Sequence, residues 1–156
     1  MRKRLIEENL ADASADAGQW LSLESLASVE VTSEHSDFPV DPVFGSGGGP
    51  GWKAAGPGEQ TVRLVFDQPC PIHRIHLEFS EVMLDRTQEF VLEWAPQEGG
   101  PREIVRQQWN FSQGGSSIEV EDYQVDLTGV SILQLTIKPD ITNGRAPATL
   151  SKFRVA

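Results

Sequence analysis

Residues 60–95 read QTVRLVFDQPCPIHRIHLEFSEVMLDRTQEFVLEWA. Apolar and polar residues alternate in three runs of this stretch, as they do in strands that bury one face. The three apolar faces consist of Val62, Leu64 and Phe66, then Ile75, Leu77 and Phe79, then Phe90, Leu92 and Trp94. Residues 67–71 and 80–86, which separate the runs, are too short for crossover helices, so the pattern predicts an antiparallel meander.

Similar alternation continues on both sides of this meander. It predicts strands at residues 28–33, 103–111, 118–127, 133–137 and 149–155. Within 118–127 the apolar residues change phase, which predicts a bulge or corner near Glu121 and Asp122. A total of about eight antiparallel strands without helical crossovers predicts an all-β, single-domain jelly-roll β-sandwich.

The sandwich is predicted to occupy residues 20–156. Residues 1–19 are predicted to form an N-terminal arm or a short helix, because Leu5, Ile6 and Leu10 provide only a thin apolar stripe. Between residues 34 and 58, four prolines and seven glycines predict a long loop. Long loops inside compact domains are often functional, so a binding site is expected here.

Charge and composition exclude several classes of function. The net charge of −10 opposes contact with phosphate backbones and anionic lipids, so neither nucleic acid nor a membrane is expected as a partner. The basic start is followed by acidic residues, where a signal peptide requires an apolar run, and no stretch is long enough to span a bilayer. Cys70 is the only cysteine, which leaves no intrachain disulfide. These features predict a cytoplasmic protein.

Several segments along the chain carry a resemblance to a known family. They are VEVTS (29–33), GWK (51–53), QTVRLVF (60–66), IHRIHL (72–77), RTQEFVL (86–92) and LSKFRV (150–155). In order and spacing they resemble the discoidin, or coagulation-factor type C, branch of the galactose-binding-like jelly rolls. The resemblance covers residues 20–156. It implies a binding module, and the ligands of this fold include sugars, lipids and proteins.

The resemblance also bears on cofactors. Members of the family that hold calcium supply a carboxylate from the last strand and an Asp-Gly pair from the early loop. Here Lys152 stands near the expected acidic position, and the early loop offers Asp37 and Asp41 without an Asp-Gly pair. Because calcium needs a shell of about six to eight oxygens, we expect neither calcium nor any other cofactor.

No motif in the sequence supports catalysis. The stretch GSGGGPG (45–51) lacks the lysine followed by Ser or Thr of a phosphate-binding loop. His73 and His76 are three residues apart in a predicted strand, which places them on opposite faces and excludes a shared metal ion. Carboxylates around Glu78 are typical of a solvated acidic face rather than of an acid–base pair. The chain is therefore predicted not to be an enzyme and to have no metal site.

The loops expected at one end of the sandwich are residues 34–58, 80–86 and 139–147. Sugar recognition needs planar hydrogen-bonding groups and an aromatic ring. These loops supply them through Trp52, Glu81, Asp85, Arg86, Asp140, Asn143 and Arg145. Structural alternatives remain open: Trp52 as a loop anchor, Arg86 as part of a structural salt bridge, and Asn143 with Gly144 as a turn.

These residues favour a non-catalytic module that binds carbohydrate through the loops at one end of the sandwich. The alternative is an intracellular protein-docking module on the same fold. Loop tryptophan and arginine residues favour the first function, and the missing signal peptide favours the second.

Overall fold

A computed structural model describes residues 20–45 and 47–156. The arm or short helix predicted for residues 1–19 lies outside the described residues. The helices are short: α1 spans Leu23–Leu26 and a 3₁₀-helix spans Asp41–Phe44. The strands are β1 (Ala27–Val31), β2 (Trp52–Pro57), β3 (Gln60–Ser80), β4 (Arg86–Pro96), β5 (Arg102–Phe111), β6 (Ile118–Lys138), β7 (Pro147–Leu150) and β8 (Lys152–Val155).

All strand pairs are antiparallel, and the two longest strands connect the layers. The larger sheet has the order β1-β3-β6-β4-β5, with β8 also paired to β3, while β2 and β7 form a two-stranded sheet. The first half of β3 pairs with β1 and its second half with β8, and register shifts between Val65 and Arg74 separate the halves. β6 accompanies β3 through both halves. This arrangement confirms the predicted all-β jelly-roll sandwich.

The predicted meander is wrong in its connections. Residues 67–71 do not separate two strands, because β3 continues through them from Gln60 to Ser80. β3 and β4 are not neighbours either, since β6 lies between them. Alternation reports which face of a strand is buried and carries no information about its partner. Pro69 and Pro71 fit within β3 because they lie where the ladder with β6 is interrupted.

Two further predictions need correction. The segment 34–58 is not one irregular loop, because it contains the 3₁₀-helix and β2. The strands predicted at 118–127 and 133–137 are a single strand, β6, and its register shifts against β3 lie between Gln124 and Ile132 rather than near Glu121 and Asp122. Cross-strand pairing overrides weak local propensity at both places.

The core lies between the layers and also holds the long connection between β1 and β2. Phe79 stacks on Phe90, with ring centroids 5.2 Å apart, so β3 and β4 meet in the interior. Phe44 of the 3₁₀-helix lies 5.6 Å from Phe153 of β8. These rings are almost fully buried, and removing apolar surface from water stabilises the fold by about 25 cal/mol per Å².

The register shift in β3 also changes the position of the two histidines. Ile72 and Ile75 are both fully buried although they are three residues apart, so the strand does not alternate regularly between them. His73 and His76 therefore both lie on the outward side, and the prediction of opposite faces is wrong. Within residues 20–45 and 47–156, no three His, Cys, Asp or Glu side chains form a group able to hold a metal ion.

Candidate functional site

The connections predicted to form the site meet at one end of the sandwich. β3 starts and ends there. Gln60 pairs with Ile137, two residues before Pro139, and Arg86 donates both to Pro139 O and to the Thr149 hydroxyl, which itself donates to Ser80 O. The connections at this end are residues 32–51, 81–85, 112–117 and 139–146. We call it the loop end. A buried polar cluster and surface depressions lie at this end.

Arg86 is the centre of the buried cluster. Its side chain is fully buried, and its guanidinium lies 4.6 Å from the centroid of the Phe111 ring. Its hydrogen bonds run from Nε to Glu81 Oε1 (2.7 Å), from Nη1 to Pro139 O (2.7 Å) and Gln88 Oε1 (3.1 Å), and from Nη2 to Thr149 Oγ1 (3.1 Å). Arg86 therefore ties four segments together, and the structural salt bridge describes it better than a ligand contact.

Both carboxylate oxygens of Glu81 also accept hydrogen bonds from the protein itself. Its second oxygen, Oε2, accepts hydrogen bonds from the backbone N–H groups of Met83 and Leu84, at 3.0 and 3.2 Å. Only 9% of its side chain is exposed. The carboxylate fixes the shape of residues 81–85, and the apolar side chain of Met83 projects into solvent as a result, with 70% exposure.

Trp52 lies in the core at the start of β2. It is 1% exposed, and its indole Nε1 donates a hydrogen bond to Ser33 O at 3.0 Å. A ring in this position offers no face to a sugar, so the expected stacking role has to be corrected. Trp52 is the anchor that joins the long β1–β2 connection to the core.

Two other predicted residues lie on the surface of the loop end. Asp85 is exposed, and its Oδ1 accepts a hydrogen bond from the backbone N–H of Gln113 at 2.8 Å. Arg145 is exposed near the end of the 139–146 connection. Neither residue lines the larger depression.

Asp140 and Asn143, by contrast, are brought together at that larger depression. It has a volume of about 650 Å³ and lies between the β2–β3 turn, the start of β4 and the 139–146 connection. Its lining includes the side chains of Glu59, Glu89, Lys138, Asp140, Ile141 and Asn143. We call it the Asn143 depression.

The turn that carries Asn143 is held by its own hydrogen bonds. Asp140 Oδ1 accepts from the N–H and from the hydroxyl of Thr142, at 3.0 and 2.8 Å, and the N–H of Asn143 donates to Asp140 O at 2.9 Å. Asn143 has a φ of 60°, a left-handed conformation that asparagine adopts more readily than most residues. The amide of Asn143 is therefore presented from a hydrogen-bonded turn.

Sequence reasoning missed Glu59, Glu89 and Lys138. They come from a tight turn and from two strands that are distant in sequence, and the Glu89–Lys138 cross-strand pair brings two of them together. The position of Lys138 directly before Pro139 is a weak signal, because a proline marks the point where a strand ends. The pairing of β4 with β6 could not be read from the alternation.

The second depression is smaller and more apolar. It has a volume of about 260 Å³ and receives residues from all three predicted loops, among them Lys53, Met83 and Pro147. Lys53 Nζ lies 4.6 Å from the centroid of the Phe38 ring, which also lines the depression. The three loops thus meet as predicted, although Trp52 is buried beneath them.

A chain of polar groups extends from Arg86 into the interior. Gln88 Nε2 donates to Glu119 Oε1 at 3.0 Å, while Glu119 Oε2 and the Tyr123 hydroxyl are buried without a hydrogen-bond partner. Burial, and then the neighbouring carboxylate of Glu121, raise the pKa of Glu119 to about 9. Burial also raises the pKa of Tyr123. At neutral pH Glu119 is therefore protonated.

Arg86, Gln88 and Glu119 are all buried, so this chain of groups has no exposed member. Among the described residues, no helix is long and apolar enough to cross a membrane.

Comparison with known proteins relates the chain to others through its structure. No family model matches the sequence, and no curated protein is similar to it in sequence. A family 32 carbohydrate-binding module of Clostridium perfringens NanJ, solved in complex with galactose, matches with a TM-score of 0.65 and 10% identity; the match covers 87% of this chain and 96% of that module. A pectin-binding carbohydrate-binding module matches with a TM-score of 0.57 and 15% identity, over 83% and 89% of the two chains.

The N-terminal domain of the single-strand break repair protein XRCC1 is similar to the same degree. Its TM-score is 0.60 at 12% identity, over 83% of this chain and 97% of that domain. Identities this low establish a common architecture and leave the ligand open. The chain therefore has the galactose-binding-like jelly-roll fold that the sequence resemblance implied.

Proposed function

We propose that this chain is a non-catalytic carbohydrate-binding module whose site is the Asn143 depression. One observation carries the proposal: this depression at the loop end combines several hydrogen-bonding side chains with an exposed apolar one. Its volume of about 650 Å³ lies within the range of about 300–1,000 Å³ that is usual for ligand sites.

The chemistry of the lining suits a polyol. The carboxylates of Glu59 and Glu89 accept hydrogen bonds from hydroxyl groups, Lys138 donates, and the amide of Asn143 does both. Ile141 is 41% exposed and supplies an apolar surface for the C–H groups of a sugar ring. The site differs from the one expected from sequence in having an isoleucine in place of an aromatic ring.

The charges of the lining favour neutral sugars. Glu59, Glu89 and Asp140 outnumber the single lysine, and Arg106 forms an ion pair with Glu89 at 3.0 Å just outside the depression. Like charges in one site repel, so a uronic acid is expected to bind more weakly than the corresponding neutral sugar.

Similar modules support the carbohydrate class. The NanJ module was solved with galactose, and another match is a pectin-binding module. We therefore propose galactose and related neutral hexoses as the first ligands to test. The absence of catalysis, the absence of calcium and the cytoplasmic location remain predictions from the sequence.

A glycan array with the full chain, followed by calorimetric titration of galactose and of any glycan that binds, tests the proposal. We expect the Asn143→Gly and Glu59→Ala variants to lose about tenfold or more in affinity, because each removes a hydrogen-bonding side chain from the depression. Glycine tolerates the left-handed backbone at position 143, so the first variant removes the amide without straining the turn.

Asp85→Asn is the matched control, because Asp85 lies at the same end but outside the depression, and an asparagine can still accept from Gln113. Its affinity should equal that of the native chain. If no neutral glycan binds, the function is wrong. If Asp85→Asn weakens binding and Asn143→Gly does not, the site lies elsewhere on the loop end.

A further inference from the structure

A further depression adjoins the Asn143 depression on the outer face of the larger sheet. It has a volume of about 250 Å³ and is lined by residues of β4, β5 and β6 and of the β2–β3 turn. Three side chains line both depressions, which makes the two continuous: those of Glu59, Glu89 and Lys138. The other lining residues are Val91, Glu93, Arg106 and Thr136. We call it the Val91 depression.

The Val91 depression exists because two short side chains on this face are surrounded by long ones. Val91 and Thr136 are a cross-strand pair of β4 and β6, and both alternate with buried core residues, so they point outward. Directly paired residues, and residues two apart in one strand, share a face of the sheet. The neighbours of the short pair on this face are Glu89, Glu93, Arg106, Gln134 and Lys138. The short pair therefore forms the floor, and the long side chains form the rim.

The rim presents polar groups to solvent. Arg106 donates from Nη1 to Glu89 Oε2 at 3.0 Å and from Nη2 to Glu103 Oε1 at 3.1 Å, and its side chain remains 53% exposed. A guanidinium has five N–H donors, so further donors of Arg106 remain for a ligand. Among the described residues, no salt bridge involves Glu93 or Lys138. Both side chains can therefore exchange water for the hydroxyl groups of a ligand.

The size and position of the Val91 depression suit one part of a longer ligand. Its volume lies below the range of about 300–1,000 Å³ that is usual for complete ligand sites. Its floor, the Val91–Thr136 pair, is two residues along the strands from the Glu89–Lys138 pair, a distance of about 7 Å. That distance is close to the length of one sugar ring with its linkage. A ligand unit in the Asn143 depression can therefore be joined directly to a unit over Val91.

We propose that this chain binds an oligosaccharide of at least two neutral sugar units, with one unit in the Asn143 depression and the next in the Val91 depression. This proposal rests on the proposed function, because the first unit occupies the site argued above. The methyl groups of Val91 contact C–H groups of the second ring, and the hydroxyl groups of that ring bond with Glu93, Arg106 and Thr136. A single sugar leaves these groups in water. Linked sugars should therefore bind more tightly than the monosaccharide.

Titration of the ¹⁵N-labelled full chain with galactose, galactobiose and galactotriose, in each available linkage, tests the proposal. The backbone amide resonances report both the affinity and the location of binding, and they detect weak binding. We expect galactose to shift the resonances around Asn143, and galactobiose to shift those of Val91 and Thr136 as well. The affinity for galactobiose of the preferred linkage should exceed that for galactose by about tenfold or more.

Two threonine variants on β6 make the test specific. Thr136→Lys fills the Val91 depression with a longer side chain. It should reduce the affinity for galactobiose to that for galactose and change the affinity for galactose less than about twofold. Thr128→Lys is the matched control, because Thr128 is exposed on β6 outside both depressions, and it should leave both affinities unchanged.

Val91→Ala probes the same depression without adding bulk. It removes part of the apolar floor and should lower the affinity for galactobiose by about threefold, with no change for galactose. Asn143→Gly should instead weaken the binding of both sugars by the same factor, because it removes a contact to the shared first unit. The melting temperatures of all these variants should stay within a few degrees of the native value.

The outcomes separate this proposal from the proposed function. If neither galactose nor its oligomers bind, the proposed function fails, and the second unit fails with it. If galactose binds at the Asn143 depression and the oligomers bind no more tightly, only the second unit is overturned. It is also overturned if galactobiose binds more tightly but shifts the resonances of Met83 instead of those of Val91 and Thr136, or if Thr136→Lys keeps the full affinity for galactobiose.

Discussion

Two groups of polar side chains share the loop end and differ in what their hydrogen bonds do. Around Arg86, every polar nitrogen is used by the protein itself, and the side chain is fully buried. Around Asn143, charged and amide side chains line an open depression. Residue type alone therefore does not separate a framework from a binding site. Burial, and the number of hydrogen bonds that a side chain already makes within the protein, separate the two.

The difference has an energetic origin. A buried charge is costly unless hydrogen bonds and an opposite charge compensate for it, so Arg86 and Glu81 are retained only as a complete set. In the Asn143 depression, Glu59, Lys138 and Asn143 are exposed and need no such compensation, and Glu89, which is 15% exposed, is paired with Arg106. They can exchange water for ligand hydroxyl groups at little cost.

The largest effect is expected for Trp52→Ala. Removal of a fully buried indole should lower the free energy of unfolding by about 4 kcal/mol, because it leaves a cavity in the core and deprives Ser33 O of its hydrogen-bond donor. Urea unfolding measures this change. Met83→Ala, at an exposed position of the same end, should change the stability by less than about 0.5 kcal/mol. A stable Trp52→Ala chain that has lost only glycan affinity would make Trp52 a ligand contact after all.

Arg86→Met should come next, with a loss of about 3 kcal/mol. The variant leaves the Glu81 carboxylate, which is 9% exposed, without its guanidinium. Thermal unfolding checks this result, and Arg145→Met, a matched change at an exposed arginine, should leave the melting temperature within a few degrees of the native value. Equal melting temperatures of the two variants would contradict the framework role of Arg86.

Glu119→Gln is expected to stabilise the chain, with an effect that depends on pH. In the folded chain Glu119 keeps its proton up to about pH 9, whereas in the unfolded chain it loses the proton near 4.5. The folded state therefore binds more protons in this window, and the contribution of Glu119 to stability falls as the pH rises. Glutamine at position 119 can still accept the hydrogen bond from Gln88 Nε2. Its amide group can donate to Glu121 and, unlike the Glu119 carboxyl, does not have to bind a proton when the chain folds.

We expect a gain of about 2 kcal/mol for Glu119→Gln near pH 8 and a smaller gain near pH 5, measured by urea unfolding. Glu98→Gln, at an exposed position, should show no such difference between the two pH values. A gain that is the same at both pH values would mean that Glu119 is ionised in the folded chain.

The smallest effect on stability is expected at Asn143. Asn143→Gly should change the free energy of unfolding by less than about 0.5 kcal/mol, because glycine accepts a φ of 60°. Asn143→Val should cost about 1 kcal/mol, since a β-branched residue is strained in this conformation. Calorimetric unfolding of both variants checks the order. If glycine is as destabilising as valine, the amide is part of the framework and the contrast with Arg86 disappears.

The sequence predicts the layers of this fold better than its connections. Alternation at Val62, Leu77 and Leu92 identifies inward faces correctly, since each of these side chains is buried. It could not show that residues 60–66 and 72–80 form one bent strand, because the bend depends on pairing with β6. β2 was missed because its Ala-Ala-Gly-Pro stretch has low strand propensity and is held by its pairing with β7.

For the candidate site, the sequence predicted the loop end and part of the lining. Asp140 and Asn143 lie in the proposed depression, while the structural alternatives weighed for Trp52 and Arg86 describe their surroundings better. Whether a loop residue faces water depends on the layer beneath it, which no local pattern reports. Lys138 lies at the site because β6 pairs with β4, which places it opposite Glu89.

The long ladder between β3 and β6 has a consequence for how the chain folds. Along this ladder, the Ser80–Ile118 pair closes the shortest stretch of intervening chain, and the Gln60–Ile137 pair closes the longest. Because loop closure costs more entropy as the loop grows, we expect pairing to start at Ser80 and Ile118 and to extend towards Gln60. The rate of folding is then limited by the return of β6 past the bend in β3, and the start of β6 is the first part of that strand to become ordered.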